Sequence, residues 1–168
     1  QYGVNSSANN LTGATQADVV VLAVKPQLMA SVCEPLQGVL NVANKLVLSI
    51  AAGVSIDRFR ALLGDPLNIV RIMPNTPSLV GKGMSGLFAP ATVTPQDRDF
   101  TAALMSSVGK VCWVENEQGI NGIIAAAGSA PAYFFLFMEA MQQEAIRQGF
   151  TPENARQLVQ QAAPNTPN

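Results

Sequence analysis

Three short segments of this chain carry groups suited to holding a ligand: Lys25-Pro26 in "AVKP", Ala51-Ala52-Gly53 in "SIAAG", and Met73-Pro74-Asn75 in "IVRIMPNTP". A fourth is Gly128-Ser129, at the head of "GSAPAYFFLFM". Together they offer few charges and much exposed backbone, which suits a dinucleotide and a small polar substrate. The sequence contains no histidine. A Ser-His-Asp triad, a His-metal site and imidazole acid-base catalysis within the chain are thereby excluded, and no metal is expected.

Each segment also has a plainer reading. Lys25 can be a snorkelling lysine at a strand terminus. The small residues 51–53 can serve only tight helix-sheet packing. The aromatic run after Ser129 reads as core or interface before it reads as a cofactor box. What favours a site is that the first three segments all follow apolar runs.

Those runs are the elements that must position them. Residues 18–24, "DVVVLAV", and 45–50, "KLVLSI", are continuous apolar stretches of the kind a parallel strand buried on both faces shows, and 69–73, "IVRIM", is a third. Pairing should stop at Met73, because Pro74 and Pro77 lack amide donors and stiffen the loop that follows. Between the strands, 27–40 reads as a helix interrupted near Pro35, and 55–63 as a helix capped by Ser55 with a stripe of Ile56, Phe59, Leu62 and Leu63. Strand, helix, strand, helix, strand is the doubly wound α/β pattern, whose ligands sit beyond the carboxyl ends of the strands. Thr94-Pro95 opens a further helix that ends before Gly109, and "KVCWV" reads as another strand.

Gly81, Gly83 and Gly86 in "GKGMSG" match the dinucleotide fingerprint GxGxxG, but no strand leads directly into them and "LFAPATV" after them is not helical. They are read as a flexible turn between β segments. From residue 116 onward alanine, aromatic and methionine residues dominate, and Thr151-Pro152 starts another helix. The boundary therefore falls between a dinucleotide-binding part, 1–116, and the start of a helical part, 117–168. Within the latter, Ser129 is expected to cap a helix with Pro131 in its first turn. That helix is apolar on nearly every side, so a partner subunit is expected to cover it. The uncharged run 118–138 is long enough to span a membrane, but Asn121, Gly128, Ser129 and Pro131 interrupt it, and a buried core or subunit interface is preferred.

With 168 residues, 48% hydrophobic and 12% charged, the chain can bury a sizeable core and reads as soluble and globular. A net charge of -1 supplies no basic field for nucleic acid. Cys33 and Cys112 lie far apart and outside any CxxC, which suits a reducing cytoplasm. The start at Gln1, with neither an initiator Met nor a signal peptide, reads as the beginning of a fragment. The closing "PNTP", 164–167, repeats residues 74–77 and is read as a frayed tail or artefact.

In order and spacing, "ADVVVLAVKPQ", "LVLSIAAGV", "IVRIMPNTP", "SSVGKVCWVE" and "GSAPAYFFLFMEAM" resemble the pyrroline-5-carboxylate reductase family over nearly the whole chain, to about residue 163. The resemblance implies an NAD(P)H-dependent oxidoreductase that reduces a cyclic imine to L-proline. It implies a Rossmann-like domain followed by an all-helical dimerisation domain shared with a second subunit. By similarity Asn10, Val24, Lys25, Pro26, Ala51 and Ala52 match positions near the dinucleotide, Met73, Pro74 and Asn75 match the loop near the nicotinamide, and Ser129 falls in the substrate segment. NADPH is the expected cofactor, with NADH as the alternative. The family's glycine loop has no counterpart in the sequence before Gln1, nor its glycine-glycine-threonine segment after Asn168, so the piece alone is expected to be crippled or inactive. No residue is assigned a catalytic role.

Two other readings keep the same residues. A hydroxy or keto acid reductase of similar build relies on a lysine or other acid in its helical domain, and 119–143 contains no lysine. A non-catalytic dimerisation or nucleotide-sensing module needs no acid at all.

Overall fold

The computed structural model describes residues 3–41 and 45–163. The 164–167 repeat lies outside the described residues. A five-stranded sheet in the order β1-β2-β3-β4-β5 organises the first two-thirds of the chain: β1 Val19–Leu22, β2 Leu46–Ser49, β3 Ile69–Met73, β4 Gly83–Phe88 and β5 Gly109–Trp113. The first three strands run parallel, with Val19 opposite Leu46 and Val47 opposite Ile69. β4 turns antiparallel to β3, and β5 is parallel to β4.

Helices cover both faces. On one side α1 (Asn10–Gln16), α2 (Met29–Cys33) and α3 (Ile56–Leu63) lay Ala14, Met29, Cys33, Ile56, Phe59 and Leu63 over Val47 and Ile69. On the other, α4 (Pro95–Ser106) packs Ala102 and Met105 over Leu46, Leu48, Val70, Ile72 and Leu87. Successive residues of β2 alternate between the two cores, so a fully buried strand reads as an unbroken apolar run. The architecture is Rossmann-like α/β.

The helix caps follow local chemistry. Ser55, Thr94 and Thr151 each accept a backbone N–H through the side chain, from Arg58, Asp97 and Asn154. The helix expected over 27–40 is interrupted near Pro35, as expected, but its α-helical part is short. It is a 3-10 turn at Pro26–Leu28, α2, and a second 3-10 turn at Glu34–Leu36, because Pro35 cannot donate to a helical ladder.

Two expectations are corrected. Gly83 and Gly86 do not form a flexible turn: they lie inside β4. A Cβ on Gly86 would sit 2.5 Å from Ile123 Cγ1, so the missing side chain is what lets the next helix press on the strand. Only Gly81, with φ 71, turns the chain. Ser129 does stand at the head of a helix with Pro131 in its first turn, as expected, but its side chain does not cap that helix. α5 (Gly119–Ile123) passes through a π turn at Ile124–Gly128 into α6 (Ala130–Arg147), and Ser129 makes no side-chain cap bond. The continuous helix has 29 residues, and its most apolar 18-residue window, of mean hydropathy 1.5, is little buried. Tyr133, Phe134, Phe135, Leu136 and Phe137 are each about two-thirds exposed. α7 (Pro152–Ala162) packs along α6 through buried Ala155 and Val159.

Candidate active site

Because β1, β2 and β3 are parallel, the segments that follow them emerge at one edge of the sheet. Val24, Lys25 and Pro26 follow β1; Val24 is half-buried, whereas Lys25 and Pro26 are exposed. Ala51 and Ala52 follow β2, Ala51 buried with its N–H 3.3 Å from Ser49 Oγ, Ala52 exposed. Gly53 holds φ 75 with nothing within 4 Å of where a Cβ would stand. A left-handed glycine and an exposed alanine leave backbone open to a flat ligand at that turn. Asn10, at the start of α1, shares with Val24 a cavity of ≈ 260 Å³ along β1.

Met73 ends β3 and Pro74 and Asn75 follow it, each half-buried. The sheet's loop and the long helix meet here. Asn75 Nδ2 donates to Ala127 O at 3.0 Å, and Asn75 Oδ1 accepts from Met84 N–H at 2.8 Å. A Cβ on Gly128 would lie 3.6 Å from Met73 Cε. Ser129, half-buried, is therefore brought close to the loop after β3, although 54 positions separate it from Asn75 (129 − 75).

Two charged residues not singled out in the sequence sit beside the same edge. Arg71 Nη1 donates to Glu117 Oε1 at 2.6 Å, and the same oxygen accepts Ile56 N–H at 2.8 Å. Arg71 is buried and Glu117 half-buried, with side chains 9% and 22% exposed. With Gly53, Ser55, Gln118 and Asn121 it lines a cavity of ≈ 250 Å³. A charge inside an otherwise apolar strand, "IVRIM", is the signal that could have found Arg71.

A further cavity, ≈ 290 Å³, is lined by Lys45, Asn68 and Thr94 at the opposite edge, where β2 and β3 begin. There Lys45 Nζ is tied to the carbonyls of Thr15 at 3.1 Å and Ala17 at 2.5 Å. Its place before the strands rather than after them makes it the poorer ligand crevice.

Cys33 is wholly buried, and desolvation raises its thiol above the ordinary 9.0. It belongs to the core and not to the site.

Residues 117–166 match the family described as pyrroline-5-carboxylate reductase dimerisation, and residues 1–53 match the NADP oxidoreductase, coenzyme F420-dependent family. A pyrroline-5-carboxylate reductase of Vibrio alginolyticus is 64% identical over 162 residues, which is 96% of this chain and 59% of the relative. That of Escherichia coli is 37% identical over 96% of this chain and 60% of its own length. Among solved structures, a pyrroline-5-carboxylate reductase from Coxiella burnetii superposes with a TM-score of 0.90 at 45% identity, over 96% of this chain and 60% of that one. The Plasmodium falciparum enzyme, solved with NADP bound, gives 0.88 at 30% identity over 95% and 60%. This chain thus spans about three-fifths of the relatives it matches. With 64% identity to one member over nearly all of this chain, a TM-score of 0.90 to another and a matched dimerisation segment, the chain belongs to the pyrroline-5-carboxylate reductase family.

Proposed function

We propose that this chain carries the cofactor edge and the start of the substrate segment of an NADPH-dependent pyrroline-5-carboxylate reductase, with NADH as the alternative donor. The observation that carries the reading is the meeting of the loop after β3 with the helix at Ala127 and Gly128, which places a stiff strand-end loop against Ser129.

In this reading Asn10, Val24, Lys25, Pro26, Ala51 and Ala52 hold the dinucleotide, and the open backbone at Ala52 and Gly53 fits a flat ligand. Met73 and Pro74 line the nicotinamide end, Asn75 belongs to the same loop, and Ser129 offers a hydroxyl to the substrate. When bound, the nicotinamide supplies the hydride that reduces the C=N carbon of 1-pyrroline-5-carboxylate, giving L-proline. The chain's own task is then to hold the two reactants in contact and exclude water. Pro74 and Pro77 restrict the loop so that little conformational freedom is lost when a ligand arrives. The proton for nitrogen comes with the protonated imine, from water or from a hydroxyl, which accords with a site that has no histidine and no lysine on 119–143. That lysine-free stretch disfavours a keto or hydroxy acid reductase.

Residues 1–116 form the dinucleotide-binding domain and 117–168 the start of the dimerisation domain, a division supported by the match over 117–166. A second subunit covers the aromatic face of α6, as the dimerisation match supports. Two free cysteines accord with the cytoplasm. The test is NADPH oxidation by the full-length protein: turnover that depends on 1-pyrroline-5-carboxylate supports the reading, and intact NADPH binding without turnover points to another imine or keto substrate.

A further inference from the structure

We infer that the Asn75 side chain is a positioning group: it fastens the loop after β3 to the π turn ahead of Ser129, and so sets the gap between the nicotinamide loop and the substrate segment, rather than serving as a dinucleotide ligand. The inference rests on the functional reading above for what these two segments hold.

The requirement starts at Pro131. In an α-helix the amide of residue 131 would bond the carbonyl of Ala127, but proline has no N–H and its ring crowds that carbonyl. Over Ile124–Gly128 the helix widens into a π turn, closed by Ser129 N–H on Ile124 O at 3.0 Å. Ala127 O is left for a donor from outside the helix. Asn75 Nδ2 supplies it at 3.0 Å.

The other end of the same carboxamide is also engaged, accepting Met84 N–H of β4 at 2.8 Å. One donor and one acceptor, held by partners of opposite kind, fix which way the amide faces. Aspartate could keep the Met84 bond but has no donor for Ala127, and its negative oxygen would face a carbonyl oxygen. The residue type is thus dictated by two backbone groups on separate elements. Both polar atoms of Asn75 are used within the protein, and the carbonyl it holds belongs to the residue just before Gly128 and Ser129.

The test compares wild type with Asn75→Asp in the full-length protein by hydrogen–deuterium exchange over residues 123–133, by NADPH affinity, and by KM and kcat for 1-pyrroline-5-carboxylate. Exchange in that segment and KM for the imine are each expected to rise about tenfold, as for a lost buried hydrogen bond, while NADPH affinity stays within about twofold. A loss of NADPH affinity of about tenfold with exchange and KM unchanged would make Asn75 a ligand and overturn the inference, as would no change in any of the three. Pro131→Ala returns an N–H to Ala127, so in that background Asn75→Asp is expected to lose most of its effect on exchange. Equal effects in both backgrounds overturn the coupling. Where Asn75→Asp alone does not fold, recovery of folding in the Pro131→Ala background is expected, and failure to recover overturns the inference. Exchange and NADPH affinity need no turnover, so a wild type that does not reduce this imine refutes the functional reading while leaving Asn75 to be judged on its own.

Discussion

Arg71 and Glu117 form an ion pair of 2.6 Å that ties the middle of β3 to the residues entering α5, and Glu117 also holds the first amide of α3. One carboxylate thereby joins three elements beside the strand-end edge. Removing one partner of a buried pair leaves the other charge uncompensated. Glu117→Ala is expected to destabilise the protein by about 3 kcal/mol, and Glu117→Gln, which keeps an acceptor, by about 1 kcal/mol. Denaturant unfolding checks both. A Glu117→Ala midpoint equal to wild type would show that the pair contributes nothing to stability.

Lys25 is the charged side chain on the β1 segment of the edge, and its proposed task is binding. Lys25→Met should weaken NADPH affinity by about tenfold, the size of one charge-assisted hydrogen bond, and leave kcat within about threefold. Lost turnover with unchanged binding would instead make Lys25 an essential proton donor.

Gly86 has no room for a side chain against Ile123. Gly86→Ala should cost about 1–3 kcal/mol through the displaced helix, and Ile123→Ala in the same chain should recover part of it. Thermal melts of the single and double variants measure the coupling; simple additivity would mean that the strand and helix separate freely.

Burial raises the Cys33 thiol above 9.0, so the folded chain keeps this proton at pH values where the unfolded chain has lost it. Stability from this group is complete below pH 9 and falls as pH rises above it. Replacing Cys33 by Ala should remove that alkaline slope, as read from unfolding free energies at several pH values, and native Cys33 should resist alkylation.

The aromatic face of α6 exposes Phe134, Phe135 and Phe137. If a second subunit covers it, Phe135→Asp should shift the full-length protein from dimer to monomer, because an uncompensated charge in an apolar interface costs several kcal/mol. Analytical ultracentrifugation decides, and an unchanged sedimentation coefficient removes this face from the interface.

What local chemistry controls was legible in the residues alone. β3 ends at Met73 as its prolines require, Ser55, Thr94 and Thr151 cap their helices, and the apolar run of β2 marks a strand covered on both sides, whereas β1, at the end of the sheet, leaves Val21 49% exposed against the expectation for its run. Local reading failed at β4, because Gly83 and Gly86 weaken any strand signal; β3 and β5 on either side pair it into the sheet. It failed also at 119–128, where the chain is already helical ahead of the start that Pro131 marks at Ala130. The proline does create an orphan carbonyl at Ala127, but the donor that satisfies it comes from Asn75, 52 residues away. Hydrogen-bond demand is written in the sequence at each residue; which distant group meets it depends on how the strands and helices pack, and only the tertiary structure decides that.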